Sequence, residues 1–125
     1  MFEIDRYGRT PIYEQIIEKT SRLISAGILK AEDQLPSVRT LSEKLSINPN
    51  TLQKAYSELE RQGICYSVPG SGRFVSKNAA EIVQARALTL LDEVEGLSRR
   101  LNAAGVVEER VHGAVSRAYG RGEGQ

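Results

Sequence analysis

The segment Asn48-Pro49-Asn50-Thr51-Leu52-Gln53-Lys54 carries the most usable surface chemistry in this chain of 125 residues. The amides of Asn50 and Gln53 each combine a donor with an acceptor. Such a side chain can bond an adenine edge in two places, and Lys54 can reach guanine or phosphate. Asn48 is a strong helix N-cap, and Pro49 suits a first helical position, where no N–H is needed. The polar groups therefore leave from the start of a helix. Leu52, Ala55, Tyr56 and Leu59 recur at helical spacing on its apolar face. An ordinary surface helix with a wet side has the same pattern. Catalytic chemistry is poorly supplied. The single His112 and single Cys65 are too few for a zinc site built from Cys and His. Cys65 reads as inert core in an apolar strand. Gly70-Ser71-Gly72 lacks the Gly-Lys-Ser/Thr that a phosphate loop needs. Asp92, Glu93 and Glu95 crowd together without a partner base and read as a solvated face. No nucleophile–base pair stands out, so a non-enzyme without cofactor or metal is expected.

The elements that position these residues follow from local signals. Thr10 caps a first helix with Pro11 at its first position, Ile12, Ile16, Leu23 and Ile24 form its apolar stripe with Ile17 widening it, and Gly27 ends it. Ile28-Leu29 is expected to re-enter the core, and residues 30–34 to form a polar loop. Pro36 and Ser37 open a short helix that runs to Leu45, with Leu41 and Leu45 facing inward. Only three residues then separate it from the helix at Pro49, which Gly63 stops. This is a helix-turn-helix in outline. Ile64–Val68 and Arg73–Val75 read as strands around the turn Pro69-Gly70-Ser71-Gly72. A hairpin directly behind a reading helix is a wing, and its glycines allow close approach of the backbone to a ligand. Arg73 or Lys77 is placed to meet phosphate.

Charge agrees weakly. Residues 39–77 hold six basic side chains (Arg39, Lys44, Lys54, Arg61, Arg73, Lys77) against three acidic ones, in a chain of net charge +1. No run of about 18 apolar residues is present, so no membrane span is expected. The start of the chain has neither a basic nor an apolar signal region, and with one cysteine the expected compartment is the cytoplasm.

The chain closely resembles the GntR family of bacterial transcription regulators, and within it the YtrA-type subfamily. The resemblance rests on Pro11-Ile12-Tyr13-Glu14-Gln15-Ile16, Leu35-Pro36-Ser37-Val38-Arg39-Thr40-Leu41, Asn48-Pro49-Asn50-Thr51, Ala55-Tyr56, Leu59-Glu60, Gly63 and Gly70-Ser71-Gly72-Arg73-Phe74-Val75. It implies that Arg39, Pro49, Asn50, Gln53, Gly70 and Ser71 lie at bases, the last two at a wing tip in the minor groove. Many relatives have arginine where this chain has Pro49 and Gln53, so arginine-to-guanine readout is not expected from those positions. Tyr13, Ser37, Thr51, Lys54 and Tyr56 become candidates for the DNA backbone, with Tyr56 equally suited to the core. The larger effector domain of most relatives is not expected within these residues.

From Val83 the texture changes. Val83, Ala87, Leu90, Val94, Leu97 and Leu101 are spaced 4, 3, 4, 3 and 4 apart, a heptad seam along one helix. Leu88 and Leu91 broaden it. A turn at Asn102–Gly105 leads to a weaker amphipathic helix ending near Gly120, and residues 120–125 are expected to be a disordered tail. Such a hairpin can fold back on the first domain or pair with a second copy; the resemblance favours the dimer. The expected architecture is mostly α with a small β-hairpin: a winged helix-turn-helix over residues 1–78 and a two-helix dimerisation hairpin over residues 79–125. The expected function is a homodimeric transcription regulator, a repressor, on an inverted-repeat operator in double-stranded DNA. The resemblance also suggests control of transporter genes. The alternatives are a winged-helix module that binds protein, or a sensor holding a small-molecule effector at the C-terminal helices.

Overall fold

The structure, a computed structural model, describes residues 3–121. Among them are α1 (Ile12–Ser25), α2 (Val38–Leu45), α3 (Pro49–Arg61), β1 (Cys65–Val68), β2 (Gly72–Val75), α4 (Ala79–Leu88), α5 (Leu90–Ala103) and α6 (Glu108–Ala118). The mostly helical architecture with one antiparallel hairpin is the one expected. The chain divides into two compact units, Met1–Arg86 and Ala87–Gln125.

The first unit is built around α3. Leu52, Ala55, Tyr56 and Leu59 are fully buried, and Ile16, Leu41, Ile64 and Val75 join them in one core. The caps act largely as the residue types dictate. Ser37 Oγ accepts from the Thr40 amide at 3.0 Å, and Asn48 Oδ1 accepts from the Asn50 amide at 2.8 Å. Pro49 sits in the first turn of α3, and Gly63 leaves the helix with φ 82°. At α1 the expected register is one residue off. Pro11 is the N-cap, and Thr10 makes no side-chain cap. The Thr10 carbonyl instead accepts from Gln15. Of Ile28-Leu29 only Leu29 is buried, because the turn after Gly27 leaves Ile28 outside.

The expected loop at 30–34 is partly a third edge on the hairpin. Glu32 and Leu35 donate backbone N–H groups to the carbonyls of Val75 and Arg73, and Val75 donates to Asp33, all at 2.8–2.9 Å. Within the hairpin, Cys65 pairs with Val75 and Val68 with Gly72. Tyr66 stacks on Phe74 with ring centroids 5.9 Å apart. Burial of Cys65 pushes its thiol up to about 11, which keeps it neutral and unreactive.

The heptad seam does not run as one stripe. The helical ladder breaks at Thr89 between α4 and α5. Val83 is buried in the core of the first unit together with Ala79, so it is unavailable to an interface. The first unit therefore extends to Arg86, eight residues beyond the expected boundary at 78. At the chain end, Gly120 has φ 77° and the Arg121 amide donates to the Ser116 carbonyl at 2.7 Å, which closes α6. These two residues belong to a turn, not to a tail; residues 122–125 of that expected tail lie outside the described residues. No helix is long and apolar enough to cross a membrane among the described residues.

One buried polar residue anchors the segment before α1. Gln15 is 8% exposed, donates to the carbonyls of Asp5 and Thr10, and accepts from the Asp5 amide at 2.8 Å. Gln15→Ala leaves all three groups without this partner, so unfolding should become easier by about 1–3 kcal/mol. Urea denaturation followed by circular dichroism measures this, and an unchanged midpoint would refute the anchoring role.

Candidate nucleic-acid interface

Tertiary packing sets one row of side chains outward. Because α3 buries the face carrying Leu52, Ala55, Tyr56 and Leu59, the residues Pro49, Asn50, Gln53 and Lys54 are left exposed at its N-terminal half, with Thr51 half-buried. Gln53 Nε2 lies 3.2 Å from Ser57 Oγ, a weak exposed bond that the amide can exchange for another partner. Lys54 Nζ stands 4.0 Å above the Tyr13 ring, so α1 and α3 present these two side chains together. Arg39 projects from the first turn of α2 with its side chain 91% exposed, 3.4 Å from Glu43. An ion pair this exposed contributes little and leaves the guanidinium free to move.

The wing tip joins this face. A slot of about 450 Å³ is lined by Pro36, Ser37 and Val38 at the start of α2, by Gln53, and by Gly70, Ser71, Gly72 and Arg73. Gly70 has φ 79° and Gly72 φ 122°, both suited to glycine, and the tip residues Gly70 and Ser71 are exposed. Gln34, which no sequence signal marks, donates from Nε2 to the Ser71 carbonyl at 2.8 Å.

Three expected backbone contacts sit differently. Tyr56 has no exposed surface, and its hydroxyl donates to the Pro36 carbonyl at 2.8 Å. It belongs to the core, as its place in the apolar repeat allowed. Burial pushes its phenol pKa well up, with Arg73 pulling the other way, so the hydroxyl keeps its proton. Arg73 folds inward. Its guanidinium lies 5.4 Å from the Tyr56 ring centroid, its Nε is 3.5 Å from Glu60, and only 21% of the side chain is exposed. Lys77 is exposed but lies at the base of the hairpin beside Gly27 and Lys30, away from the tip.

Charge also divides α3 along its length. Glu58 accepts from Arg61 and Gln62, which hold its carboxyl down at about 2, and Glu60 accepts from Ser67. These carboxylates hold Arg61 and Arg73, so the C-terminal half of the helix offers phosphate little net positive charge. The cationic and amide groups lie in its first two turns. A further tie reaches the turn between α2 and α3, where the Arg6 guanidinium donates to the carbonyls of Leu45 and Ser46. Among the described residues no cluster of His, Cys, Asp and Glu could hold a metal ion.

Fold and exposed face together define a winged helix-turn-helix transcription regulator. The chain belongs to the gntR family of bacterial regulatory proteins, whose model matches residues 12–75. It is 42% identical over 113 residues to the HTH-type transcriptional repressor YtrA of Bacillus subtilis, covering 90% of this chain and 87% of that protein. Among solved structures, a GntR family transcriptional regulator from Listeria monocytogenes superposes with a TM-score of 0.70 at 32% identity, covering 91% of this chain and 98% of the other. The DNA-binding domain of AraR in complex with operator ORX1 gives a TM-score of 0.55 at 30% identity, covering 60% of this chain and 96% of that domain.

The placement of Tyr56 has a measurable consequence. Tyr56→Phe removes one hydrogen bond and should cost about 0.5–1.5 kcal/mol of folding stability. DNA affinity per folded molecule should stay that of the unmodified chain. A loss of affinity together with a shallower salt dependence would instead assign the hydroxyl to phosphate.

Proposed function

We propose that this chain is a repressor that acts in the cytoplasm as a homodimer on an inverted-repeat operator. One observation carries the dimer: α5 and α6 contain no buried residue. Leu90, Leu91, Val94 and Leu97 are each 47–58% exposed. Between the two helices lies an open groove of about 560 Å³ whose lining includes Val94, Val106, Val111 and Val115 together with the charged or polar Arg99, Glu108 and His112. Full burial of one such side chain is worth roughly 1.5–3 kcal/mol, so several of them support association with the same hairpin of a second copy. Ala87, Leu90, Val94, Leu97 and Leu101 form that surface; Val83 does not. Likeness to the YtrA repressor supports the direction of control.

A dimer carries two reading helices, and two-fold symmetry sets their half-sites about one helical turn of DNA, or a multiple of it, apart. Asn50 and Gln53 read base edges, Arg39 contacts a base from the start of α2, and the exposed Pro49 meets a base at the entry of the reading helix. Gly70 and Ser71 enter the minor groove. Tyr13, Ser37, Thr51 and Lys54 contact the backbone and set register without reading sequence.

The variant Leu90→Asp with Leu97→Asp tests the dimer, because a carboxylate placed in an apolar interface opposes its burial. Sedimentation should show a monomer, and affinity for a full operator should fall by about 10²- to 10⁴-fold as the linked second half-site is lost. A variant that stays dimeric would remove the C-terminal helices from the interface. Gln53→Ala and Lys54→Ala test the reading helix. The first should relax preference at one base pair per half-site by about 1–3 kcal/mol. The second should weaken all sequences alike and reduce the slope of log affinity against log salt by about 0.9 per lost phosphate contact. Selection from randomised DNA and salt titration separate the two, and an identical selected motif for wild type and Gln53→Ala would exclude readout by that amide.

A further inference from the structure

Gln34 stands where three parts of the first unit meet. Its backbone forms a bridge with Phe74 of β2, flanked by the bond from the Leu35 amide to the Arg73 carbonyl at 2.9 Å. Its side chain crosses to the wing tip and donates to the Ser71 carbonyl at 2.8 Å. Next along the chain come the buried Leu35 and then Pro36, whose carbonyl receives the Tyr56 hydroxyl of α3. Ser37, the N-cap of α2, follows directly. This side chain ties the wing tip to the scaffold that carries the reading helix, above the contacts of Ser67 and Arg73 with Glu60 one pair lower. The space is matched to it: a Cβ at Gly72 would lie 2.7 Å from Gln34 Nε2, and φ at Gly72 is 122°. A two-stranded hairpin is marginal alone, and the ring stack of Tyr66 and Phe74 braces it two pairs below the tip. The tip itself has Gln34.

We propose that Gln34 is a positioning residue for DNA binding. By holding the Ser71 carbonyl it sets the separation between the wing tip and Gln53 across the slot they share, and so the register in which Gly70 and Ser71 meet the minor groove. This rests on the DNA contacts proposed above and assigns Gln34 a role in holding the tip that makes them.

The test uses the full chain and a duplex that the wild type selects from randomised DNA. Gln34→Leu keeps the size and removes the donor. Loss of one ordinary hydrogen bond's worth of tip ordering should weaken binding about three- to ten-fold. Hydroxyl-radical protection should fade at the minor-groove positions under the wing and persist where the reading helix lies. In a Ser71→Asp background, whose wing is already repelled by phosphate, the same substitution should change affinity by less than two-fold, because the two act through one contact. Equal loss of protection in both grooves, or the same fold-loss in the Ser71→Asp background, would show a merely structural role and overturn the proposal. Unchanged affinity and footprint for Gln34→Leu would overturn it as well. A wild-type chain that selects no duplex would instead overturn the DNA contacts on which the proposal rests, and the proposal with them.

Discussion

One helix here serves as both keystone and reader. α3 buries Leu52, Ala55, Tyr56 and Leu59 without remainder, and the Tyr56 hydroxyl bonds the Pro36 carbonyl across the core. Helical periodicity permits both roles because the two faces are about half a turn apart. The rotation of α3 about its axis is set by four fully buried side chains. The directions of Asn50, Gln53 and Lys54 follow from that rotation. The Pro36 bond extends the constraint to α2, since Pro36 immediately precedes the Ser37 cap. Packing density in the core thus becomes precision at the surface, as a close-packed interior resists small rotations.

Electrostatics narrows the face that packing exposes. Glu58 and Glu60 are engaged with Arg61, Gln62, Ser67 and Arg73, so the second half of α3 offers phosphate little net positive charge. Arg73 illustrates how a cation near a ligand face can serve the protein instead. Placed over Tyr56 and beside Glu60, it joins the wing to the helix behind it. The basic excess of residues 39–77 consequently overstates the free positive charge at the face; Arg39 and Lys54 are its exposed members there.

The second unit obeys a different economy. A two-helix hairpin has too little interior to cover its own apolar side chains, and none of α5 or α6 is buried. The first unit has its own core, and side-chain caps open its α2 and α3. The division of labour proposed here, with one unit touching DNA and the other joining two copies, follows from which unit can satisfy its own apolar surface.

Much of this protein is legible in the order of its residues. Caps, breakers and periodicity are local, so Ser37, Asn48, Pro49, Gly63 and the glycines of the wing marked the elements, and the motif residues marked the family. The four buried positions of α3 were visible as a repeat. Other features required the tertiary structure because they join residues distant in sequence. Val83 left the heptad seam because the core of the first unit had room for it, a matter of three-dimensional volume and not of spacing. Tyr56 and Arg73 turned inward because Pro36 and Glu60 were waiting for them. Gln34 carries no sequence signal at all, and Gln15 was marked only as part of a family motif, with no hint of its role: a glutamine is an ordinary surface residue until its amide meets a backbone carbonyl 5, 10 or 37 positions away. Short-range propensity wrote the elements, and long-range hydrogen bonding and burial decided which side chains were left to face a partner.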